Sequence, residues 1–230
     1  MSILSLSGIS KVYSKGEIAV RALDSVDLEI EKAEFCAIVG PSGSGKTSLL
    51  NIIGCLDTPS SGIVRYLGKE LRLLGERELS AYRREHVSFI FQSYNLIPVL
   101  TVAENVEIPL GISGAMPRKA MRSKVMDMLS AVGIADKADR YPRELSGGQE
   151  QRVAIARALV KEPVLVLADE PTANLDSRTG EEILELMKRI NSTLGTTFIF
   201  STHDKMIMEE ALRVVSLRDG KIVSDERRSA

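Results

Sequence analysis

The amino-acid sequence predicts an α/β protein whose core is a parallel β-sheet with helices on both faces. Short unbroken apolar runs, of the kind that form strands buried on both sides, recur along the chain. They lie at residues 35–39, 87–91, 164–168 and 197–201. Segments with apolar residues at helical spacing lie between them, and this alternation is typical of a doubly wound sheet with right-handed crossovers.

The composition indicates one soluble globular domain that spans residues 1–230. Hydrophobic residues make up 44% of the chain, which is enough for a substantial core. The formal net charge of −1 gives no overall attraction to nucleic acid or anionic lipid, so we expect no nucleic-acid partner. Neither a signal peptide nor an apolar window of membrane-spanning length is recognisable, so any membrane role is expected to depend on a partner.

The two cysteines predict neither a metal site nor a disulfide. Cys36 lies within the first apolar run and Cys55 lies just beyond the next predicted helix, without the spacing of a metal-binding pair. We expect both to be reduced core residues in a cytosolic protein.

Residues 3–30 predict a small, mostly antiparallel β-region. Apolar and polar residues alternate there, with a break at residues 14–16. After a turn cluster at residues 57–62, residues 63–66 predict one more strand of the same region.

Residues 93–160 predict a helical lobe inserted between strands of the core. Proline and glycine punctuate its first part, at Pro98, Pro109, Gly111 and Gly114. Apolar residues then recur at helical spacing from residue 121 to residue 132.

Residues 40–47 fit the phosphate-binding pattern G-x-x-x-x-G-K-[S/T] of a P-loop, between a predicted strand and a predicted helix. Backbone N–H groups and the helix N-terminus would face phosphate, Lys46 would reach the β- and γ-phosphates, and the Thr47 hydroxyl would ligate Mg²⁺. The alternative is a Gly/Ser-rich turn with a surface lysine. The candidate nucleotide-binding residues are Gly40, Pro41, Ser42, Gly43, Ser44, Gly45, Lys46, Thr47 and the following Ser48.

A second glycine-rich helix start lies at residues 145–149, which read Leu-Ser-Gly-Gly-Gln. Ser146 suits an N-cap, Gly147 and Gly148 allow a ligand to approach closely, and residues 151–160 form a strong helical run. The segment could be only a capped turn. A P-loop in the same chain favours a second anion-binding helix start.

With these motifs the chain resembles the ATP-binding subunits of ABC transporters over residues 3–223. Residues 145–149, with Ser146, Gly147, Gly148 and Gln149, match the family signature. Gln92 matches the Q-loop, and residues 164–170 match Walker B followed by the catalytic glutamate. Residues 174–176 resemble the D-loop.

The resemblance implies an ATPase that uses Mg²⁺. It places Asp169, Thr47 and Gln92 around the metal, and Glu170 beside the water that attacks the γ-phosphorus. His203 corresponds to the switch histidine, which would hold Glu170 and that water in line. Lys46 is implied to act on the phosphates during turnover.

The resemblance also implies a role for Tyr13 and a dimeric site. Tyr13 falls where the family stacks an aromatic ring on adenine. In the family's head-to-tail dimers, Ser146 and Gly148 of one chain cap the γ-phosphate held by Lys46 of a second copy, and two ATP molecules lie between them. ATP-driven closure and reopening can then act on attached membrane subunits.

Three further segments, at residues 51–57, 89–98 and 100–106, are similar to the lipoprotein-releasing and macrolide-exporter (LolD/MacB-type) ATPases. Amino-acid importer ATPases share parts of this pattern, so import is the alternative. The departures from the family pattern remove no catalytic group. They are Ala33, Ser48, Glu150 and Ala173.

Residues 93–110 are the expected docking site for transmembrane permease subunits, which would hold the chain on the inner face of the cell membrane. This apolar connection directly follows Gln92 and would otherwise expose apolar side chains to water. The side chains concerned are Tyr94, Leu96, Ile97 and Val99. The alternative is that they pack on the helix at residues 121–132.

Three other functions fit the sequence less well. A chromosome-maintenance ATPase needs a long coiled coil between the Q-loop and the signature, where this chain has room only for a small lobe, and a translation ATPase carries two such domains. A small-molecule kinase with a P-loop would lack the signature and Glu170.

Overall fold

The computed structural model describes residues 2–15, 18–113 and 116–228. Gly16 and Gly114, where the sequence predicts interruptions, lie outside the described residues. The strands are β1 (Ser2–Lys15), β2 (Ile18–Glu31), β3 (Phe35–Val39), β4 (Ser61–Tyr66), β5 (Lys69–Glu70), β6 (Val87–Ile90), β7 (Leu165–Asp169), β8 (Thr197–Thr202), β9 (Arg213–Arg218) and β10 (Lys221–Arg227). The α-helices are α1 (Lys46–Ile53), α2 (Glu76–His86), α3 (Val102–Ser113), α4 (Arg118–Ala131), α5 (Gly147–Leu159), α6 (Ser177–Leu194) and α7 (Lys205–Glu210).

The N-terminal β-region is antiparallel, as the sequence predicts, and it has four strands, of which the short β5 was not predicted. Its strand order is β2-β1-β4-β5. Alternating side chains of β1, such as Leu4 and Leu6, are buried in one hydrophobic cluster with Ile38 of β3 and Leu49 of α1. This cluster holds the antiparallel sheet and α1 on one face of the second sheet.

The second sheet has the order β10-β9-β3-β8-β7-β6. Strands β6, β7, β8, β3 and β9 pair in parallel, and β10 pairs antiparallel with β9 at one edge. The four apolar runs are all strands of this sheet, so the predicted parallel core is confirmed. The sheet is two strands wider than the sequence predicts, because β9 and β10 follow the last predicted run.

Helices α3, α4 and α5 lie between β6 and β7 in the chain and pack on the other face of the second sheet. Their buried side chains, such as Val106 and Ile155, share a cluster with Phe35 and Ala37 of β3. Successive side chains of a strand point to opposite faces. Helices α1 and α5 therefore cover opposite faces of the same sheet.

Among the described residues, no helix is both long enough and apolar enough to cross a membrane.

Cys36 and Cys55 are expected to resist thiol-modifying reagents while the chain is folded. Both are free and buried. Burial raises the pKa of the Cys36 thiol to about 12 and that of Cys55 to about 11, so the reactive thiolate is scarce at neutral pH. A disulfide-exchange reagent should label neither cysteine in buffer and both in denaturant. Rapid labelling of the folded chain would contradict their place in the core.

Candidate active site

The loop between β3 and α1 is shaped by two glycines that cannot be replaced without a clash. A Cβ atom on Gly40 would lie 2.1 Å from the backbone oxygen of Leu217. Gly45, with φ of 105°, occupies the left-handed region, and a Cβ there would lie 2.4 Å from the backbone oxygen of Ala22. The neighbouring backbone thus packs closely against the loop at both glycines. The first N–H groups of α1 have no partner within the helix and can face an anion.

Two side chains of this loop, Lys46 and Ser44, have contacts that suit the binding of a phosphate group. The Lys46 Nζ donates to the backbone oxygens of Gly40 and Pro41, at 2.7 and 3.0 Å, instead of pairing with a carboxylate. The Ser44 hydroxyl is buried and has no hydrogen-bond partner among the described residues. Such an orphaned polar group in a native protein needs an explanation, and a bound phosphate oxygen supplies one.

Glu170 follows the last residue of β7 in a left-handed backbone conformation, with φ of 46°. A non-glycine residue is held there only when its surroundings determine the position, and here the Glu170 N–H donates to the Ser201 oxygen at 2.9 Å. Oε1 of Glu170 lies 2.6 Å from Nδ1 of His203. The structure therefore brings the predicted base and the predicted switch histidine into contact.

Thr202 is a site residue that the sequence reasoning missed. Its hydroxyl donates to Oε2 of Glu170 at 3.1 Å, so both carboxylate oxygens of Glu170 have a partner. The hydroxyl also accepts the N–H of Asp204, at 3.0 Å. Thr202 is buried at the end of β8, next to the largely exposed His203. Its position beside His203 in the chain was the only available signal.

The predicted metal ligands lie at the carboxyl ends of parallel strands. Thr47 follows β3 across the P-loop, Gln92 follows β6, and Asp169 is the last residue of β7. Their hydroxyl, amide and carboxylate oxygens suit a hard cation such as Mg²⁺, which takes one or two carboxylates plus phosphate oxygens and water. No cluster of three or more His, Cys, Asp or Glu residues able to hold a metal is found in the described part of the chain. The donor set fits a Mg²⁺ ion that is also held by phosphate oxygens.

Gln92 is linked to the segment after β7. The Asn174 side-chain amide donates to the backbone oxygen of Gln92 at 2.8 Å. The Gln92 side chain itself is exposed. The predicted Q-loop and D-loop are therefore in direct contact within one chain.

A second missed residue, Arg157 of α5, braces the chain just after Gln92. Its guanidinium donates to the backbone oxygens of Asn95 and Tyr94, at 2.5 and 2.6 Å. Tyr94 and Asn95 both have left-handed backbones, with φ of 58° and 50°, a conformation that tyrosine adopts less readily than asparagine. The two bonds from Arg157 tie this part of the Q-loop to α5.

The segment at the start of α5 is a capped helix terminus, as predicted. The Ser146 hydroxyl accepts from the Gln149 N–H at 3.4 Å, and the Gln149 side chain accepts from the Ser146 N–H at 3.0 Å. This is the reciprocal capping box. A Cβ on Gly148 would lie 2.4 Å from the Thr179 side chain, and one on Gly147 would lie 3.1 Å from the Tyr94 hydroxyl.

Tyr13 lies on β1 with much of its ring exposed. Its hydroxyl donates to Oδ2 of Asp57 at 2.8 Å, and the Lys11 ammonium lies 4.9 Å from the ring centroid. Burial acts to raise the pKa of Asp57, but hydrogen bonds from Lys11 and Tyr13 outweigh it and lower that pKa. The Tyr13 ring is thus held through its hydroxyl and is partly exposed.

Comparison with known proteins gives consistent matches along the chain. The ABC transporter family model matches residues 23–173. An ABC transporter ATP-binding protein of Thermotoga maritima is 46% identical, over 98% of this chain and 96% of that protein. A macrolide export ATP-binding/permease protein, MacB, of Rhodopseudomonas palustris is 47% identical over 97% of this chain. The chain spans only 34% of that MacB protein.

Solved structures show the same fold. Two dimeric structures of the ABC transporter cassette MJ0796 superpose on the chain with a TM-score of 0.90, at 43% identity and with 99% of both chains covered. One of them is described as a post-hydrolysis state bound to ADP and Pi. The related protein of Methanocaldococcus jannaschii matches 98% of this chain and 97% of its own length.

Proposed function

The chain belongs to the ABC transporter family and is an ATPase, and from that premise we propose that it drives a membrane transporter as a head-to-tail dimer around two Mg-ATP. The main observation behind this proposal is that α1, which follows the P-loop, and α5, which begins at the signature, cover opposite faces of one sheet. Helix α1 packs with the antiparallel sheet, whereas α5 packs with α3 and α4. This separation, together with the dimeric state of the MJ0796 cassettes that the chain resembles, supports a signature that serves the P-loop of a second copy.

In the proposed mechanism Lys46 exchanges its two backbone partners for phosphate oxygens, so that ATP replaces contacts that the loop makes with itself. Bound Mg²⁺, held by Thr47, Asp169 and Gln92, would neutralise developing charge on the phosphates. Glu170 accepts a proton from the attacking water, and His203 and Thr202 fix the two carboxylate oxygens that orient it.

The signature of the second copy completes the site. Ser146, Gly147, Gly148 and Gln149 would place the N–H groups and hydroxyl at the start of α5 on the γ-phosphate. ADP lacks that phosphate, so it makes fewer contacts with the closed dimer than ATP does. Hydrolysis then reopens the dimer, which is a population shift driven by the ligand.

The proposed partners are permease subunits that hold the chain on the inner face of the cell membrane and contact residues 93–110. Ile97 and Val99 of this segment are exposed, by 41% and 77%. Tyr94 and Leu96 are instead partly buried, and Leu96 packs on the cluster of α3, α4 and α5. The exposed part of this surface is therefore smaller than the sequence predicts.

Similarity to MacB proteins supports export or lipoprotein release of the LolD/MacB type as the transport class. The relatives named MacB are described as macrolide export ATP-binding/permease proteins, and this chain covers 34% of their length. An amino-acid-type importer is the alternative, because the ATPase chemistry is the same in both directions.

The Lys46→Ala variant tests the nucleotide site. We expect ATP binding to fall by at least roughly tenfold and turnover to be lost, since the variant removes a charge-assisted bond to phosphate. The fold should be kept, because the ammonium contacts only two backbone oxygens of its own loop. Binding is measured by equilibrium titration with ATP and hydrolysis by phosphate release.

Lys119→Ala is the matched control, since Lys119 is an exposed lysine of α4 outside the site. This control should bind and hydrolyse ATP like the wild type. If a folded Lys46→Ala chain did so as well, the P-loop assignment would be wrong.

A further inference from the structure

Tyr13 is an aromatic side chain that the fold leaves 41% exposed on the sheet that packs against the P-loop. It pairs with Val20 across β1 and β2, and two residues earlier Lys11 pairs with Leu23. The Leu23 side chain would lie 3.1 Å from a Cβ on Gly45. The ring therefore lies on the strand next to the one that contacts the phosphate-binding loop.

Asp57 holds the Tyr13 hydroxyl through a carboxylate that is itself fixed. Its Oδ2 accepts the Tyr13 hydroxyl at 2.8 Å, and its Oδ1 accepts the Lys11 ammonium at 2.5 Å and the Thr58 N–H at 2.7 Å. Burial acts to raise the pKa of Asp57, but the bonds from Lys11 and Tyr13 lower it, so the carboxylate is ionised at neutral pH. The bond to the Tyr13 hydroxyl is thus charge-assisted, which makes it stronger than a neutral one.

Lys11 limits which face of the Tyr13 ring another molecule can use. Its Nζ lies over the ring, 4.9 Å from the centroid, which is within the range of a cation–π interaction. The Lys11 side chain is largely buried, and its ammonium also donates to the Thr58 oxygen at 2.7 Å. Because Lys11 is fixed on one face, a base would have to stack on the opposite face.

The segment that carries Asp57 is fastened both to α1 and to β1. The Asp57 N–H donates to the oxygen of Asn51 in α1 at 3.2 Å, and the Ser60 N–H donates to the oxygen of Ser10 in β1 at 2.8 Å. Helix α1 begins at Lys46. The helix that places the phosphate-binding lysine at its start therefore also fixes, just beyond its end, the anchor of the ring.

We propose that Asp57 is a positioning residue for ATP, which holds the Tyr13 ring ready to stack on the adenine base with the face opposite Lys11. The inference rests on the proposed nucleotide site and adds the residue that orders its base-binding side chain. A ring that is already held loses little rotamer freedom when ATP binds, so the anchor raises affinity without itself touching the base. Stacking acts on the base alone, so the contacts with the phosphates do not depend on this anchor.

The test compares ATP with inorganic tripolyphosphate, which offers phosphates without a base, in equilibrium titrations of the full chain with Mg²⁺. Tyr13→Phe removes only the hydroxyl, and Asp57→Ala removes its acceptor. We expect each variant to bind ATP about threefold to tenfold more weakly and tripolyphosphate as wild type does. KM for ATP hydrolysis should rise by the same factor, with kcat unchanged. The double variant should bind ATP no more weakly than the weaker single variant, because both changes remove one contact.

Asp27→Ala is the matched control, because Asp27 is an exposed carboxylate of the same antiparallel sheet whose partner is the Gly8 N–H of β1, at 2.8 Å. It should bind both ligands as wild type does. Wild-type ATP affinity and KM in Tyr13→Phe, or an equal loss of tripolyphosphate binding or of kcat, would overturn the proposal. Tyr13→Phe decides alone if Asp57→Ala fails to fold, since the phenylalanine keeps the ring.

Tyr13→Ala separates the anchor from the stacking itself. Removal of the whole ring should weaken ATP binding by about tenfold or more, and tripolyphosphate binding should again be unchanged. If Tyr13→Ala bound ATP as wild type does, the ring would not be the base platform and the proposal would fall. Unchanged tripolyphosphate binding in that chain would still leave the P-loop assignment in place.

Discussion

The Glu170→Gln variant is expected to bind ATP as wild type does and to accumulate as an ATP-bound dimer, while its rate of hydrolysis falls by roughly 100-fold or more. The amide keeps the size of the carboxylate and can still accept the Thr202 hydroxyl, so the left-handed backbone at this residue has the same support. It cannot take a proton from water. Binding and closure should therefore proceed, and the step that reopens the dimer should fail.

The measurements are phosphate release and sizing by light scattering, both with ATP and Mg²⁺. Glu181→Gln serves as the control, because Glu181 is an exposed residue of α6. This control should hydrolyse ATP and show no trapped dimer. Should Glu170→Gln remain monomeric with ATP while hydrolysis is lost, the dimer proposal fails. Should hydrolysis persist, Glu170 is not the base.

The parallel core was predictable because each of its central strands can be recognised from a short stretch of sequence. Strands such as β3 and β8 are buried along their whole length, which leaves an unbroken apolar run in the sequence. The P-loop and the start of α5 are also local, since their glycines and capping groups act on neighbouring backbone. The same holds for Glu170, which directly follows a buried strand.

The features that the sequence did not reveal depend on partners distant in the chain. Thr202 acquires its role from Glu170, 32 residues earlier, and Arg157 acts on Tyr94, 63 residues earlier. Strand β10 alternates between exposed and partly buried side chains and is largely polar, so it lacks the apolar run that marks the central strands. This segment is a strand because it pairs with β9, and its own sequence pattern does not predict that pairing.

A mixture of two inactive variants, Lys46→Ala and Ser146→Arg, is expected to regain one occluded ATP per mixed dimer. Each homodimer should fail, the first for lack of a phosphate contact and the second because an arginine blocks the N-terminus of α5. In the mixed dimer, the intact P-loop of the Ser146→Arg chain faces the intact signature of the Lys46→Ala chain, so one composite site is whole.

Two observations agree with a site shared between copies. Helices α1 and α5 belong to separate hydrophobic clusters on opposite faces of the sheet, and the MJ0796 cassettes that resemble this chain are dimeric. If Ser146 instead served the P-loop of its own chain, both sites of the mixed dimer would be broken and no ATP would be trapped. Occlusion of labelled ATP is measured in mixed dimers isolated through two different affinity tags, because this readout needs only one whole site. Wild-type trapping with none in verified mixed dimers would refute the shared site.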